Sequence, residues 1–239
     1  DLKGQSDAWY AQSWLDHKRN DYAAIKQSLL TSSRLAFDAG DKAREIEALT
    51  YLSIMANKHQ EQSDKYYYLQ LAENKMRAYQ LPDYHFAKIP FHYAIFAESP
   101  ADKEPHLKRV LEFTRLTPNY WVAQASRKTL VKYYIEQRRL EEVREILAPL
   151  SYNQAANTYL RALLAKAESS EDVWVQLAQR TFEQAQLAGH LHLTLDAALL
   201  LCDTSVTSDN FDFYRQYIAE KAFESWRENN LTTLVALQL

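Results

Sequence analysis

The chain has 239 residues, of which only three are glycine and six proline, and a formal net charge of -3. Average usage is roughly 7 % glycine and 5 % proline, so the turn residues that a sheet protein of this length needs are missing. The dominant residues, Leu, Ala, Gln, Glu, Lys and Arg, are helix formers, and the predicted fold class is all-α.

Taken in chain order, the predicted helices end at recognisable punctuation. HKRND at 17–21 divides the first segment into two helices, and AFDAGDK around Gly40 closes that hairpin. NKHQEQS, ESPAD, EQRR and ESSED are polar breaks of the first kind; YQLPDY near Pro82, RLTPNY near Pro118, LAPLSY near Pro149 and QLAGHL near Gly189 are closures of the second. The closures lie roughly 31 to 42 residues apart, the range of helical-hairpin repeats. The count predicts about a dozen helices in six antiparallel hairpins, with a last short helix in LTTLVALQL. A hairpin of about 35 residues cannot bury both its apolar sides alone, so the hairpins must stack and share a core.

Two local features are sharper. In SDKYYYLQLAENKMRAYQLPD, residues 63–83, Tyr68, Leu69, Ala72, Met76 and Tyr79 form the stripe predicted to be buried. Tyr66 and Tyr68 diverge by about 200° around a helix, so the triplet Tyr66, Tyr67 and Tyr68 cannot face one side. Packing is expected for at least two of them, with Tyr67 directed to solvent or to a groove. Pro90, in FAKIPFHY, marks either a kink or the start of a helix.

The clearest unit is PNYWVAQASRKTLVKYYIEQRRLEEVREILAPL, residues 118–150. Leu130 and Tyr134 share a face of its first helix, and Leu140, Val143, Leu147 and Leu150 form a stripe along its second. With Pro118 ahead of them, these residues resemble a tetratricopeptide repeat; Val131 departs from the pattern, which has a very small residue there. The resemblance covers most of the chain in period and one repeat in residues. It implies a superhelical solenoid, right-handed, of about six stacked hairpins forming one domain over residues 1–239. It further implies an interaction module of the irregular kind found in bacterial transcription regulators and signalling proteins. The chain begins at Asp1 without methionine, so a domain excised from, or processed out of, a longer chain is expected.

Charge is unevenly distributed along the chain. Residues 103–139 hold nine Lys and Arg against Glu104, Glu112 and Glu136, whereas residues 169–239 hold ten acids against Arg180, Arg215, Lys221 and Arg227. Within the basic segment, Trp121, Ala125, Lys128 and Lys132 fall at i, i+4, i+7 and i+11, one stripe of a helix. The resemblance places such a first helix on the concave surface, so these four, with Tyr67, are the candidate partner-binding residues. The lysines suit an acidic protein or peptide, and the indole suits apolar partner surface.

The remaining function classes lack a signature. No H-E-x-x-H, G-x-S-x-G or Gly-rich phosphate loop occurs, so no catalytic residue and no cofactor are assigned. His85 and His92 lie about 10 Å apart along a helix axis, too far for one metal, and His192 is read as a surface partner of Asp196. One cysteine, Cys202, permits neither an intrachain disulfide nor a thiolate cluster. An acidic chain without a reading motif is not expected to touch nucleic acid. The expected compartment is the cytoplasm, or alternatively the periplasm for a domain of a membrane-anchored regulator. The expected function is non-catalytic protein or peptide binding. The alternative is small-molecule sensing in an aromatic-lined concavity, for which sixteen tyrosines and five tryptophans supply material.

Overall fold

Six connections among the described residues repeat one local geometry. Each helix ends on a residue in the left-handed region, Asn20 (φ 57), Gly40 (φ 72), Gln60 (φ 62), Arg138 (φ 58), Ser169 (φ 61) or Gly189 (φ 70). The next residue then donates its N–H back to the carbonyl of the helix's last turn: Asp21 to Asp16 (3.2 Å), Asp41 to Ala36 (2.8 Å), Glu61 to Ala56 (2.8 Å), Arg139 to Tyr134 (2.8 Å), Ser170 to Ala165 (3.0 Å) and His190 to Ala185 (2.9 Å). This is the Schellman closure. It turns the chain in three residues and forces consecutive helices to run antiparallel. Asp21 and Asp41 then serve the following helix as N-caps, accepting from the N–H of Ala24 and Arg44.

The computed structural model describes residues 1–81, 86–117, 120–151, 153–202 and 211–227, with side chains excluded for Phe211 and 222–227. Among these residues there is no strand, and the elements are α1 (Leu2–Lys18), α2 (Tyr22–Asp38), α3 (Lys42–Lys58), α4 (Gln62–Tyr79), α5 (Lys88–Phe96), α6 (Pro100–Phe113), α7 (Trp121–Glu136), α8 (Leu140–Leu147), α9 (Ala155–Ala167), α10 (Glu171–Leu187), α11 (Leu191–Cys202) and α12 (Phe211–Arg227). Helices adjacent in sequence pack against each other, as in an all-α solenoid. The chain forms two compact units, Asp1–Ser126 and Arg127–Leu239, and the division falls inside α7. No helix among the described residues is long and apolar enough to cross a membrane.

In the first unit, α1 and α2 approach through serines. Ser6 Oγ donates to the Ser32 carbonyl (2.8 Å) and Ser32 Oγ to the Ser6 carbonyl (2.9 Å), and both side chains are fully buried. Behind them Ile25, Leu29, Ile46, Leu52, Leu69 and Ile89 form the main apolar core, and Ala87, Val110 and Val122 a second cluster. The expected stripe of α4 is buried at Tyr68, Leu69, Ala72 and Met76, while Tyr79 is half-buried. Tyr79 donates its hydroxyl to Glu45 Oε2 (2.5 Å), and that buried carboxylate also holds Lys75 Nζ (2.6 Å). Pro90 stands in the first turn of α5 and so opens that helix without kinking it.

In the second unit, Leu130, Val131, Tyr134, Val143 and Leu147 of the best-defined repeat are all buried. Its second helix, α8, has only eight residues. Arg161 on α9 closes it, donating from one guanidinium nitrogen to the carbonyls of Leu147 (2.9 Å) and Leu150 (2.8 Å). Tyr159, Leu160, Trp174, Phe182 and Leu195 continue the core through α9, α10 and α11. Pro82, His85, Pro118 and the expected last helix at 231–239 lie outside the described residues.

Candidate binding groove

A concavity lies within the first unit, on its first-of-pair helices. α1 contributes Tyr10 and Trp14, one turn apart, and α3 contributes the stripe Ala43, Ile46, Glu47, Thr50, Tyr51 and Ile54. Phe86, Lys88 and Ile89 close one side, with Thr117 and Tyr120 beyond them. The volume is about 590 Å³, within the range of small-molecule and side-chain pockets.

Aromatic rings make its wall. Trp14, half-exposed, stacks on Tyr51 with centroids 5.2 Å apart and planes at 20°, and Tyr10 meets the same tyrosine at 5.8 Å. The Arg44 guanidinium lies 4.5 Å above the Tyr10 ring. It is held there by Asp7 from Nε (2.8 Å) and by Glu47 from a terminal nitrogen (2.8 Å), so ion pairs set the ring before any partner arrives. Glu47 also faces Lys88 Nζ at 3.9 Å. Burial raises the phenol pKa of Tyr10, Tyr51 and Tyr120, which keeps all three hydroxyls protonated.

The residues singled out in the sequence are distributed differently. Trp121, 50 % exposed, opens α7 and stands edge-on to Phe91 (5.4 Å) and to Tyr120 (6.2 Å), so it borders the groove through Tyr120. Ala125 is half-buried on the same helix. Lys128 lies in the second unit, where its ammonium is paired with Asp196 and sits 5.6 Å above the Tyr159 ring. Asp196, read from the sequence as the partner of His192, thus holds a lysine. Lys132 is exposed. Tyr67 is 60 % exposed and packs edge-on against Tyr68 (5.0 Å) on α4, and it does not line the groove. Tyr66 is also exposed, but it meets Phe96 edge-on at 5.9 Å and donates to that residue's carbonyl (3.3 Å).

No protein-family model matches the chain, and no curated protein does either.

Sequence reasoning missed Tyr10, Trp14 and Tyr51. A signal was present: Asn20-Asp21, Gly40-Asp41 and Gln60-Glu61 recur every twenty residues, which makes α1 and α3 equivalent first helices. Elsewhere, a hollow of about 560 Å³ over α1 and α2 is bordered by Trp9, Gln12 and Gln27. The buried Asp16 in it is already held by Gln12 (2.8 Å) and Ser28 (2.7 Å). Among the described residues no three His, Cys, Asp or Glu side chains converge on a metal position. His92 is buried against Phe91 and Phe96, and burial, then Lys88, pushes its pKa down to about 4.

Proposed function

We propose that the chain is a non-catalytic, tetratricopeptide-like scaffold that holds a protein or peptide along the groove of its first unit. In this reading it serves as the interaction module of a cytoplasmic bacterial transcription regulator or signalling protein. The observation that carries the reading is the groove wall: half-exposed Trp14 stands with Tyr10, Tyr51 and Tyr120, Trp121 borders it, and Arg44, ion-paired with Asp7 and Glu47, holds Tyr10 in place. Aromatic side chains that are rigid before binding lose little entropy on contact and are the commonest interface anchors.

The test is capture from native lysate with wild-type and Tyr51→Ala bait, at low salt and at ~0.5 M salt. A protein retained by the wild type at both salts and lost by the variant supports the groove. Retention that ignores the variant and disappears in salt would transfer the role to the Lys128 and Lys132 face. The volume of about 590 Å³ also suits the sensor reading; a small molecule released on denaturing the purified wild type, and absent from the variant, would favour it.

A further inference from the structure

The polar atoms of the groove are mostly donors. Among the described residues, Tyr10, Tyr51 and Trp14 make no side-chain hydrogen bond, and the buried Thr117 hydroxyl has no partner. With Lys88 they line the cavity with side chains that carry hydroxyl, indole and ammonium donors. The one carboxylate of the groove is already committed: Glu47 receives Arg44 at 2.8 Å and faces Lys88. The hydroxyls can accept as well, but the Trp14 indole and the Lys88 ammonium can only donate, so a complementary ligand is apolar and offers acceptors.

Peptide-binding modes differ on this point. A helical ligand has its carbonyls engaged within itself and would leave the groove's donors unmet. Strand addition needs an open sheet edge, and the groove is made of helices. A proline-rich segment fits: proline has no N–H, the polyproline II backbone leaves every carbonyl outward and unbonded, and pyrrolidine rings lie flat on aromatic faces. Length agrees as well. The α3 stripe from Ala43 to Ile54 runs about 16 Å at 1.5 Å per residue, and about five residues of polyproline II at 3.1 Å each cover that distance.

We infer that the groove takes a proline-rich segment in the polyproline II conformation, with prolines against Trp14 and Tyr51 and its carbonyls accepting from the Tyr10 and Tyr51 hydroxyls. The inference rests on the groove being a peptide site.

The experiment uses a labelled, acetylated and amidated ten-residue proline-rich peptide, titrated by fluorescence polarisation against the wild type and against Tyr10→Phe/Tyr51→Phe. Those variants keep both rings and remove only the hydroxyls, and thermal melts check that the fold is kept. Binding by the wild type and a loss of about tenfold in the double variant is the expected result. No binding, or equal binding by the two proteins, overturns the inference. A displayed library of random peptides separates that failure from failure of the groove reading. Selected peptides that need Tyr51, tested as Tyr51→Ala, but contain no proline-rich class leave the groove standing and the polyproline assignment refuted. A library that yields no binder refutes both.

Discussion

Replacing Gln60 or Ser169 by glycine should stabilise the protein. Both residues sit at left-handed helix ends, φ 62 and φ 61, where Gly40 and Gly189 occupy the equivalent links. A side chain in that conformation costs about 1–2 kcal/mol. Glycine removes the cost but enlarges the unfolded ensemble, which returns about 0.5–1 kcal/mol. The net expectation is a gain of ~0.5–1 kcal/mol per site. With a urea m-value of about 2 kcal/mol/M, the midpoint rises by ~0.3–0.5 M and the slope is unchanged. Gln60 lies in the first unit and Ser169 in the second, so if the units melt separately each variant moves its own transition. Asn20→Gly should gain less, because asparagine tolerates this region. The reverse change is a clean control. A Cβ at Gly40 or Gly189 would meet nothing within 4 Å, so the ~1 kcal/mol loss expected for Gly40→Ala reports backbone conformation alone. If Gln60→Gly and Ser169→Gly are both neutral or destabilising while Gly40→Ala is harmless, the shared closure does not carry the strain argued here.

Acid should weaken the first unit through His92. Its pKa falls from 6.5 to about 4 on folding, so between those pH values the unfolded chain binds the extra proton. The contribution of neutral His92 is complete above pH 6.5, declines as pH falls, and levels off below pH 4, by a total of ~3 kcal/mol. Urea titrations of wild type and His92→Gln across pH 4 to 7 should differ in slope only within that window; parallel curves would refute the assignment. At the α3–α4 contact, Glu45→Ala leaves Lys75 and the Tyr79 hydroxyl without their shared carboxylate and should cost ~2 kcal/mol, since Lys75 keeps partial access to water. Glu45→Gln, which can still accept from Tyr79, should recover part of that loss in the same denaturation assay.

The helices and most of their ends were legible because they are decided by neighbours in sequence. The 17–21, 36–42 and 57–63 breaks each carry a cap acceptor or a left-handed residue that acts within a few positions, and the structure ends its helices there. The apolar spacing that marked Leu130, Tyr134, Val143 and Leu147 also follows from one helix at a time, and all four are buried; Leu140 of the same stripe is half-buried, and Leu150, though buried, lies beyond the end of α8. Lys128 was read as a partner-binding residue able to pair with a partner's carboxylate; its ammonium meets Asp196 of the same chain, sixty-eight positions away, and nothing local announces it.

Composition and short-range pattern thus determined that this chain is helical, how its helices are cut, and which stripes are apolar, since hydrogen bonds within a turn and side-chain periodicity set all three. Only the tertiary structure decided which aromatic residues remain half in water. Tyr10, Trp14 and Tyr51 have the same character in sequence as the buried Tyr68 and Tyr134; they wall a groove because α1 and α3 stand side by side and Asp7, Arg44 and Glu47 hold the Tyr10 ring at its edge. That outcome depends on which helices pack together, a sum over contacts far apart in the chain that no single window of sequence contains.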